Sequence, residues 1–174
     1  PLYLTTLGAE IYGYWLATGG VIAWLSAFDM RMAVAITQKI SCAYGAGRPR
    51  EVNNAFVSGM LVYFLILSPV LPLSILAFPY LAQFLKLPSE FYLDFYQAYL
   101  FSVLGLVLSL LTGGVVSLSK GILRPKFSVV VHFICGLIQI VCTAVLLSEG
   151  WGVRAIGFAV FLRFALSMLL NSTY

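Results

Sequence analysis

Long apolar runs separated by short polar breaks dominate the chain. No Asp, Glu, Lys, Arg or His occurs over residues 52–85 or over residues 95–119. Each run exceeds the ~20 apolar residues that an α-helix needs to cross about 30 Å of hydrocarbon. The pattern predicts five membrane-embedded helices, over about residues 7–41, 51–77, 89–118, 127–147 and 153–170.

The composition points to the same class of protein. Of the 174 residues, 61% are hydrophobic and 9% are charged, and the mean hydropathy is +1.01. Soluble domains carry roughly 25% charged residues. The two-residue alternation of a membrane β-barrel is missing, and lipid offers an open backbone no hydrogen-bond partner, so the runs are predicted to be helices. The expected fold is all-α, a polytopic helical bundle that forms one transmembrane domain over residues 1–174 in a lipid bilayer.

The charged residues lie mostly in the breaks, and their balance alternates along the chain. The formal net charge is +4. The second and fourth breaks mix acids with a single base each, whereas the first and third are basic and contain Lys39, Arg48, Arg50, Lys120, Arg124 and Lys126. The positive-inside rule therefore predicts cytoplasmic loops over 42–51 and 119–126. The expected location is a plasma (inner) membrane.

Prolines interrupt the second predicted helix. Pro69 and Pro72 lie in its outer third, where each removes a backbone donor and is expected to kink the helix. These two residues are candidate hinges. Pro79 is expected to start a separate short segment over about 80–87, at the membrane interface rather than across it.

Three charged residues fall inside the predicted helices. Asp29 and Arg31 lie near mid-membrane if Lys39 marks the cytoplasmic edge, and Arg163 lies in the middle of the last helix. A charge at the bilayer centre costs about 2.5–3.5 kcal/mol or more, so such residues face protein or water and have partners. Either they line a central cavity and act on a substrate or ion, or they form an inter-helix salt bridge, such as Asp29 with Arg163, that fixes the packing.

Polar residues at helical spacing form a stripe on the fourth predicted helix. His132, Cys135, Gln139 and Thr143 share one face. His132 titrates near neutral pH and is a candidate proton relay, although a lone histidine on an apolar helix is more often a hydrogen-bonded packing residue. Gln139 is a candidate for hydrogen bonding either to a substrate or to a neighbouring helix. The three cysteines lack Cys-x-x-Cys spacing and are interpreted as packing residues.

Other function classes find no support in the sequence. No Ser/His/Asp arrangement, metal-ligand cluster or phosphate-binding Gly-rich loop is visible, so no enzyme activity, catalytic residue, metal or cofactor is predicted. Membrane orientation and anionic lipid headgroups account for the basic loops, and no nucleic-acid partner is expected.

Five segments, taken in order, resemble half of a transporter of the multidrug and toxic compound extrusion (MATE) family, within the superfamily that also includes oligosaccharide flippases. The segment over 38–51, QKISCAYGAGRPRE, resembles the basic turn that this family places after its second helix. The other matching segments are 7–10 (LGAE), 78–99, 119–125 (SKGILRP) and 152–159 (GVRAIGFA).

The resemblance implies two six-helix bundles around a cavity that opens alternately to either side. It implies export of organic, often cationic, compounds in exchange for protons or sodium ions. This chain, which begins at Pro1, would then be a fragment that supplies five helices of one bundle. Its partners would be the small organic substrate, the missing first helix and the second six-helix bundle.

Two features depart from the family pattern. The first helix, which often carries a functional carboxylate, is absent. Where the family often has Asn or Asp on the next-to-last helix of the bundle, this chain has Cys135 or Gly136 and Gln139 or Ile140. Coupling through those carboxylates is therefore not supported. The alternatives are a flippase for anionic lipid-linked oligosaccharides, which would also use arginines in its cavity, and a membrane subunit that only packs against a partner.

Overall fold

The computed structural model describes residues 6–26 and 29–172, with only the backbone given within residues 20–31. A short 3-10 turn at Ser89–Phe91 precedes the fourth α-helix. The helices are α1 (Ala9–Ser26), α2 (Asp29–Gly45), α3 (Pro49–Phe84), α4 (Tyr92–Gly121), α5 (Lys126–Ser148) and α6 (Val153–Ser172). The predicted all-α membrane bundle is confirmed by this architecture.

Within the described residues, four helices are long and apolar enough to cross a membrane. They are α3, α4 (counted with the 3-10 turn before it), α5 and α6. The helix predicted over 7–41 corresponds to α1 and α2, with residues 27 and 28 between them outside the described part. Neither α1 nor α2 alone is both long enough and apolar enough to be counted with these four helices. Whether the 7–41 segment crosses the membrane stays a prediction.

Helix α4 is the centre of the bundle and packs most extensively against α6, then against α2 and α3. Small residues allow the α4–α6 contact to be close. A Cβ added to Gly157 would lie 2.8 Å from the Cα of Ala98 and against its carbonyl oxygen, and one added to Gly105 would lie 3.2 Å from the Cα of Phe161. Two backbones approach this closely only where side chains are absent, so the glycines determine the separation of α4 and α6.

Helix α3 differs from its prediction, because it continues through Pro69, Pro72 and Pro79 to Phe84. No new segment begins at Pro79. The ring of Phe78, which is 2% exposed, contacts the rings of Tyr92, Tyr96 and Tyr99 at centroid distances of 5.3, 5.1 and 5.2 Å. This aromatic contact packs the part of α3 that precedes Pro79 against α4. At ~1.5 Å per residue, α3 is about 54 Å long, so it must tilt or project from ~30 Å of hydrocarbon.

The two ends of the bundle carry different charges. At one end a Cβ on Gly121 of α4 would touch the side chain of Ile40 of α2, so the basic breaks that follow these helices lie at the same end. We call this the basic end. At the opposite end Arg154 of α6 forms a salt bridge with Asp94 of α4 at 3.1 Å and donates to the side-chain oxygen of Gln97 at 3.3 Å. These contacts fix α4 against α6 away from the basic end.

Large apolar side chains cover the outer faces of α3 and α5. Leu61, Leu65 and Leu73 of α3 are more than half exposed, as are Phe133 and Ile140 of α5. In water such a surface would be unfavourable, whereas in hydrocarbon it has no cost. The exposed faces therefore fit contact with lipid acyl chains or with other apolar helices.

Candidate functional site

The polar stripe predicted on the fourth helix lies on α5 at its interface with α6. Arg163 of α6 donates from Nη1 to Oε1 of Gln139 at 3.0 Å. The two residues lie near the middle of their helices. Thr143, one turn further along α5, is buried and donates to the backbone oxygen of Gln139 at 2.8 Å. The guanidinium and the amide therefore join the two helices at mid-membrane depth.

The charge of Arg163 has no acidic partner among the described side chains. The salt bridges of this part of the chain join Arg48 to Glu51 and Arg154 to Asp94. The Nε atom of Arg163 is buried and has no hydrogen-bond partner in the described structure, and the guanidinium carbon lies 5.2 Å from the ring centroid of Phe164. The hydrogen bond to Gln139 and the contact with the aromatic ring stabilise the charge but do not neutralise it.

A second polar contact joins α5 to α6 nearer the basic end. Nδ1 of His132 lies 3.1 Å from the hydroxyl oxygen of Ser167. Asn171, which is 6% exposed, donates from Nδ2 to the backbone oxygen of Ser167 at 2.8 Å and to its hydroxyl oxygen at 3.4 Å. Since the Ser167 hydroxyl accepts from Asn171, its own proton is available to Nδ1. This order of donors favours the His132 tautomer with the proton on Nε2.

His132 also lines a cleft between α2, α4 and α5. The cleft has a volume of about 420 Å³. Its polar lining residues are Thr37, Gln38, Ser109, Ser117, Lys120 and His132, and its small or apolar ones are Ala33, Val34, Gly113 and Val116. Helix α4 contributes Ser109, Gly113, Ser117 and Lys120, which are four or three residues apart and share one face. The cleft therefore opens beside Lys120 at the basic end and continues along α4 toward the membrane centre.

The charges that surround His132 are all basic within the described side chains. Arg163 of α6 and Lys120 of α4 both lie close enough to act on it electrostatically. Ser167 is the polar neighbour on the remaining side. The site combines two cations with a neutral donor, and such a field attracts an anionic group and repels a cation.

The structure brings together three of the five predicted substrate or ion residues. His132, Gln139 and Arg163 lie on one α5–α6 interface, where Gln139 forms the inter-helix hydrogen bond that was one of its two predicted roles. The side chains of Asp29 and Arg31 lie outside the described residues, so a salt bridge from Asp29 to Arg163 stays a prediction. The predicted hinges Pro69 and Pro72 are on α3, which packs against α2 and α4.

Sequence reasoning missed several residues of the site. Ser167 and Asn171 follow the predicted residue Arg163 at four-residue spacing on α6, so their common face was present in the sequence as a signal. The meeting of α2 with α4 in the cleft had no such signal. Thr37 becomes a neighbour of Ser117 and Lys120 only because α2 packs on α4.

The described part of the chain contains no cluster of side chains placed to bind a metal ion and no disulfide. No group of three or more His, Cys, Asp or Glu side chains is placed there to hold a metal ion. Cys135 is buried, Cys142 is partly buried and Cys42 is exposed, and all three are free thiols. Comparison of the chain with models of protein families, with curated proteins and with solved structures finds no match to any of them.

Proposed function

We propose that this chain is part of a secondary active transporter that exports organic compounds by alternating access, driven by protons or sodium ions. The chain forms part of one helical bundle, and a second bundle completes the cavity. Asp29, whose side chain lies outside the described residues, attracts the cationic group of the substrate or exchanges the coupling ion. Pro69 and Pro72 of α3 act as hinges. The MATE resemblance described above is the origin of this proposal.

One observation carries the proposal: a cleft lined by polar side chains lies among helices that are apolar enough to span a membrane. Hydrogen-bonding side chains at this depth cost free energy to insert, and a solute path gives them a use beyond joining helices. A polar path between membrane helices is what a transported solute requires. His132, at the wall of the cleft, connects it to the α5–α6 interface.

The basic surroundings of the cleft favour a second candidate, a flippase that moves a lipid-linked oligosaccharide. Lys120 lines the cleft, Arg163 lies with His132 on the α5–α6 interface, and no carboxylate is among the lining residues that the structure describes. A negatively charged phosphate linker would be attracted to this field, and an organic cation would be repelled from it. The two candidates therefore differ in the charge of the transported molecule.

Transport by membrane vesicles tests both candidates. Everted vesicles from cells that produce the full protein are energised with a proton or a sodium gradient, and uptake of a fluorescent organic cation is recorded. Asp29→Asn removes the proposed carboxylate, and Glu149→Gln, at the exposed break before α6, is the matched control. Gradient-driven uptake that is lost in Asp29→Asn, retained in Glu149→Gln and accompanied by normal membrane insertion supports the antiporter.

The same vesicles discriminate the remaining alternatives. Uptake that is unchanged by Asp29→Asn removes Asp29 from the mechanism. Absence of cation uptake, together with translocation of a fluorescent lipid-linked sugar, supports the flippase. Absence of both activities in correctly inserted protein would overturn the transport proposal and favour a packing subunit.

A further inference from the structure

We infer that the α2–α4–α5 cleft binds an anionic phospholipid from the leaflet at the basic end, with the phosphate held between Lys120 and His132. This inference concerns a resident lipid rather than a transported molecule, and it does not depend on the proposed function. The lipid is inferred from the charge and shape of the cleft alone, so a protein that transports no solute would bind it as well.

The described charges of the cleft favour an anionic ligand. Among the side chains that the structure describes, Lys120 and His132 are the lining residues able to carry charge, and none is a carboxylate. Lys120 is exposed, and the salt bridges between described side chains do not include it. A lysine at the membrane surface favours the binding of anionic lipid. Lys120 is thus placed to form an ion pair with a headgroup phosphate.

The hydrogen bonds of the lining residues show which groups can donate to that phosphate. The hydroxyls of Thr37 and Ser117 already donate to backbone oxygens of their own helices, at 2.8 Å in each case. In the tautomer that the Ser167 contact at Nδ1 favours, His132 carries its proton on Nε2, and the residue lines the cleft. The ammonium of Lys120, the imidazole Nε2 and the side-chain amide of Gln38 are therefore the donors that the ligand meets.

The shape of the cleft favours a lipid over a soluble phosphate. From Lys120 to Ser109 the cleft follows α4 for about 16 Å at ~1.5 Å per residue. Its volume of about 420 Å³ lies within the ~300–1,000 Å³ range of sites for drug-sized ligands, and it is larger than a phosphate ion requires. Apolar walls at Ala33, Val34 and Val116 accompany the polar groups. A ligand with a charged headgroup and an apolar chain matches both features.

Val34 connects the cleft to the membrane. Its side chain is 55% exposed on α2 and also lines the cleft. An acyl chain can therefore pass from the bilayer over Val34 while the headgroup remains beside Lys120. A soluble ligand would gain nothing from this lipid-facing opening.

The experiment measures lipid retention by native mass spectrometry of the purified full protein in detergent. The protein is titrated with phosphatidylglycerol, with phosphatidylcholine and with glycerol 3-phosphate. Lys120→Gln removes the proposed ion pair, and Lys126→Gln is the matched control because Lys126 is an exposed lysine of the same end that does not line the cleft. We expect retention of phosphatidylglycerol to fall about fivefold to tenfold in Lys120→Gln and to be unchanged in Lys126→Gln.

Four results would overturn the inference. Equal losses in the two lysine variants would indicate general attraction to a basic surface. Equal retention of phosphatidylcholine would exclude selection for an anion, and binding of glycerol 3-phosphate with the same affinity would indicate a soluble ligand. If Lys120→Gln does not fold, Gln38→Leu at the exposed rim is measured instead. Reduced retention of phosphatidylglycerol by Gln38→Leu would support the site, and unchanged retention would contradict it.

Discussion

Arg163 of α6 and Gln139 of α5 form a hydrogen bond of 3.0 Å, from guanidinium Nη1 to amide Oε1, near the middle of both helices. No carboxylate from the described side chains forms a salt bridge with the arginine. An amide partner lowers the cost of inserting a charge without removing it. The pair therefore joins α5 to α6 on the interface that also holds the contact of His132 with Ser167.

Replacing Gln139 and replacing Arg163 should change the free energy of unfolding by different amounts. In Gln139→Leu the guanidinium stays in place without its acceptor, whereas Arg163→Gln removes the charge and leaves two amides that can bond to each other. We expect Gln139→Leu to lower the free energy of unfolding by about 1 kcal/mol, as inter-helix hydrogen bonds in membranes do, and Arg163→Gln to lower it less. Reversible unfolding in detergent micelles measures both, with Ser148→Ala at the exposed end of α5 as control. The opposite order would show that the charge of Arg163 stabilises the fold.

The tautomer of His132 provides a second prediction. The hydrogen bond from Asn171 to the Ser167 hydroxyl favours the tautomer with the ring proton on Nε2. We expect Ser167→Ala to shift the population toward the Nδ1–H form, because Nδ1 loses its donor. His132 is the one histidine of the chain, so the ring ¹⁵N shifts of histidine-labelled protein report on it alone.

Ser172→Ala is the control for this change, because Ser172 is exposed and its hydroxyl donates to the backbone oxygen of Leu169. Its spectrum should match that of the unmodified protein. A wild-type ring that is already in the Nδ1–H form would contradict the assigned order of donors.

Gly157 should tolerate no side chain. An added Cβ would lie 2.8 Å from the Cα and 2.9 Å from the carbonyl carbon of Ala98, and backbone atoms cannot move aside as a flexible side chain does. We expect Gly157→Ala to lower the free energy of unfolding by about 1–3 kcal/mol through overpacking of α4 against α6.

Gly136→Ala is the matched control for that substitution, since nothing lies within 4 Å of the Cβ it would add. It exchanges glycine for the best helix former and should leave stability unchanged or raise it by up to about 1 kcal/mol. Thermal unfolding in the same detergent compares the two variants. Equal effects would mean that α4 and α6 are not held at the separation described.

The prolines of α3 test the hinge hypothesis. Pro69→Ala and Pro72→Ala each restore a backbone donor on an exposed part of a helix, so stability should stay the same or rise. If these residues act as hinges, the rate of gradient-driven transport in vesicles should fall even though the protein folds normally. Pro79→Ala lies on the same helix outside the proposed hinge and should leave the rate unchanged. Equal rates in all three variants would remove Pro69 and Pro72 from the mechanism.

The end of α3 shows how neighbours override a local rule. From the sequence, Pro79 is expected to end the helix, yet the helix continues to Phe84. The rings of Tyr92, Tyr96 and Tyr99 surround Phe78, and these contacts come from a helix that begins eight residues after α3 ends. A local pattern cannot anticipate them, since they depend on how α4 folds back against α3.

The sequence by itself determined that this is an all-α membrane bundle, because charge-free runs longer than the bilayer is thick have no other way to satisfy their backbone groups. It also determined the polar face of α5, since helical spacing alone aligns His132 with Gln139. Only the tertiary structure decided that Arg163 meets Gln139, that Ser167 meets His132, and that α2 and α4 form a basic cleft beside them. Apolar helix surfaces pack by shape rather than by a unique code, so the partners of each polar group follow from close contacts such as that of Gly157 with Ala98.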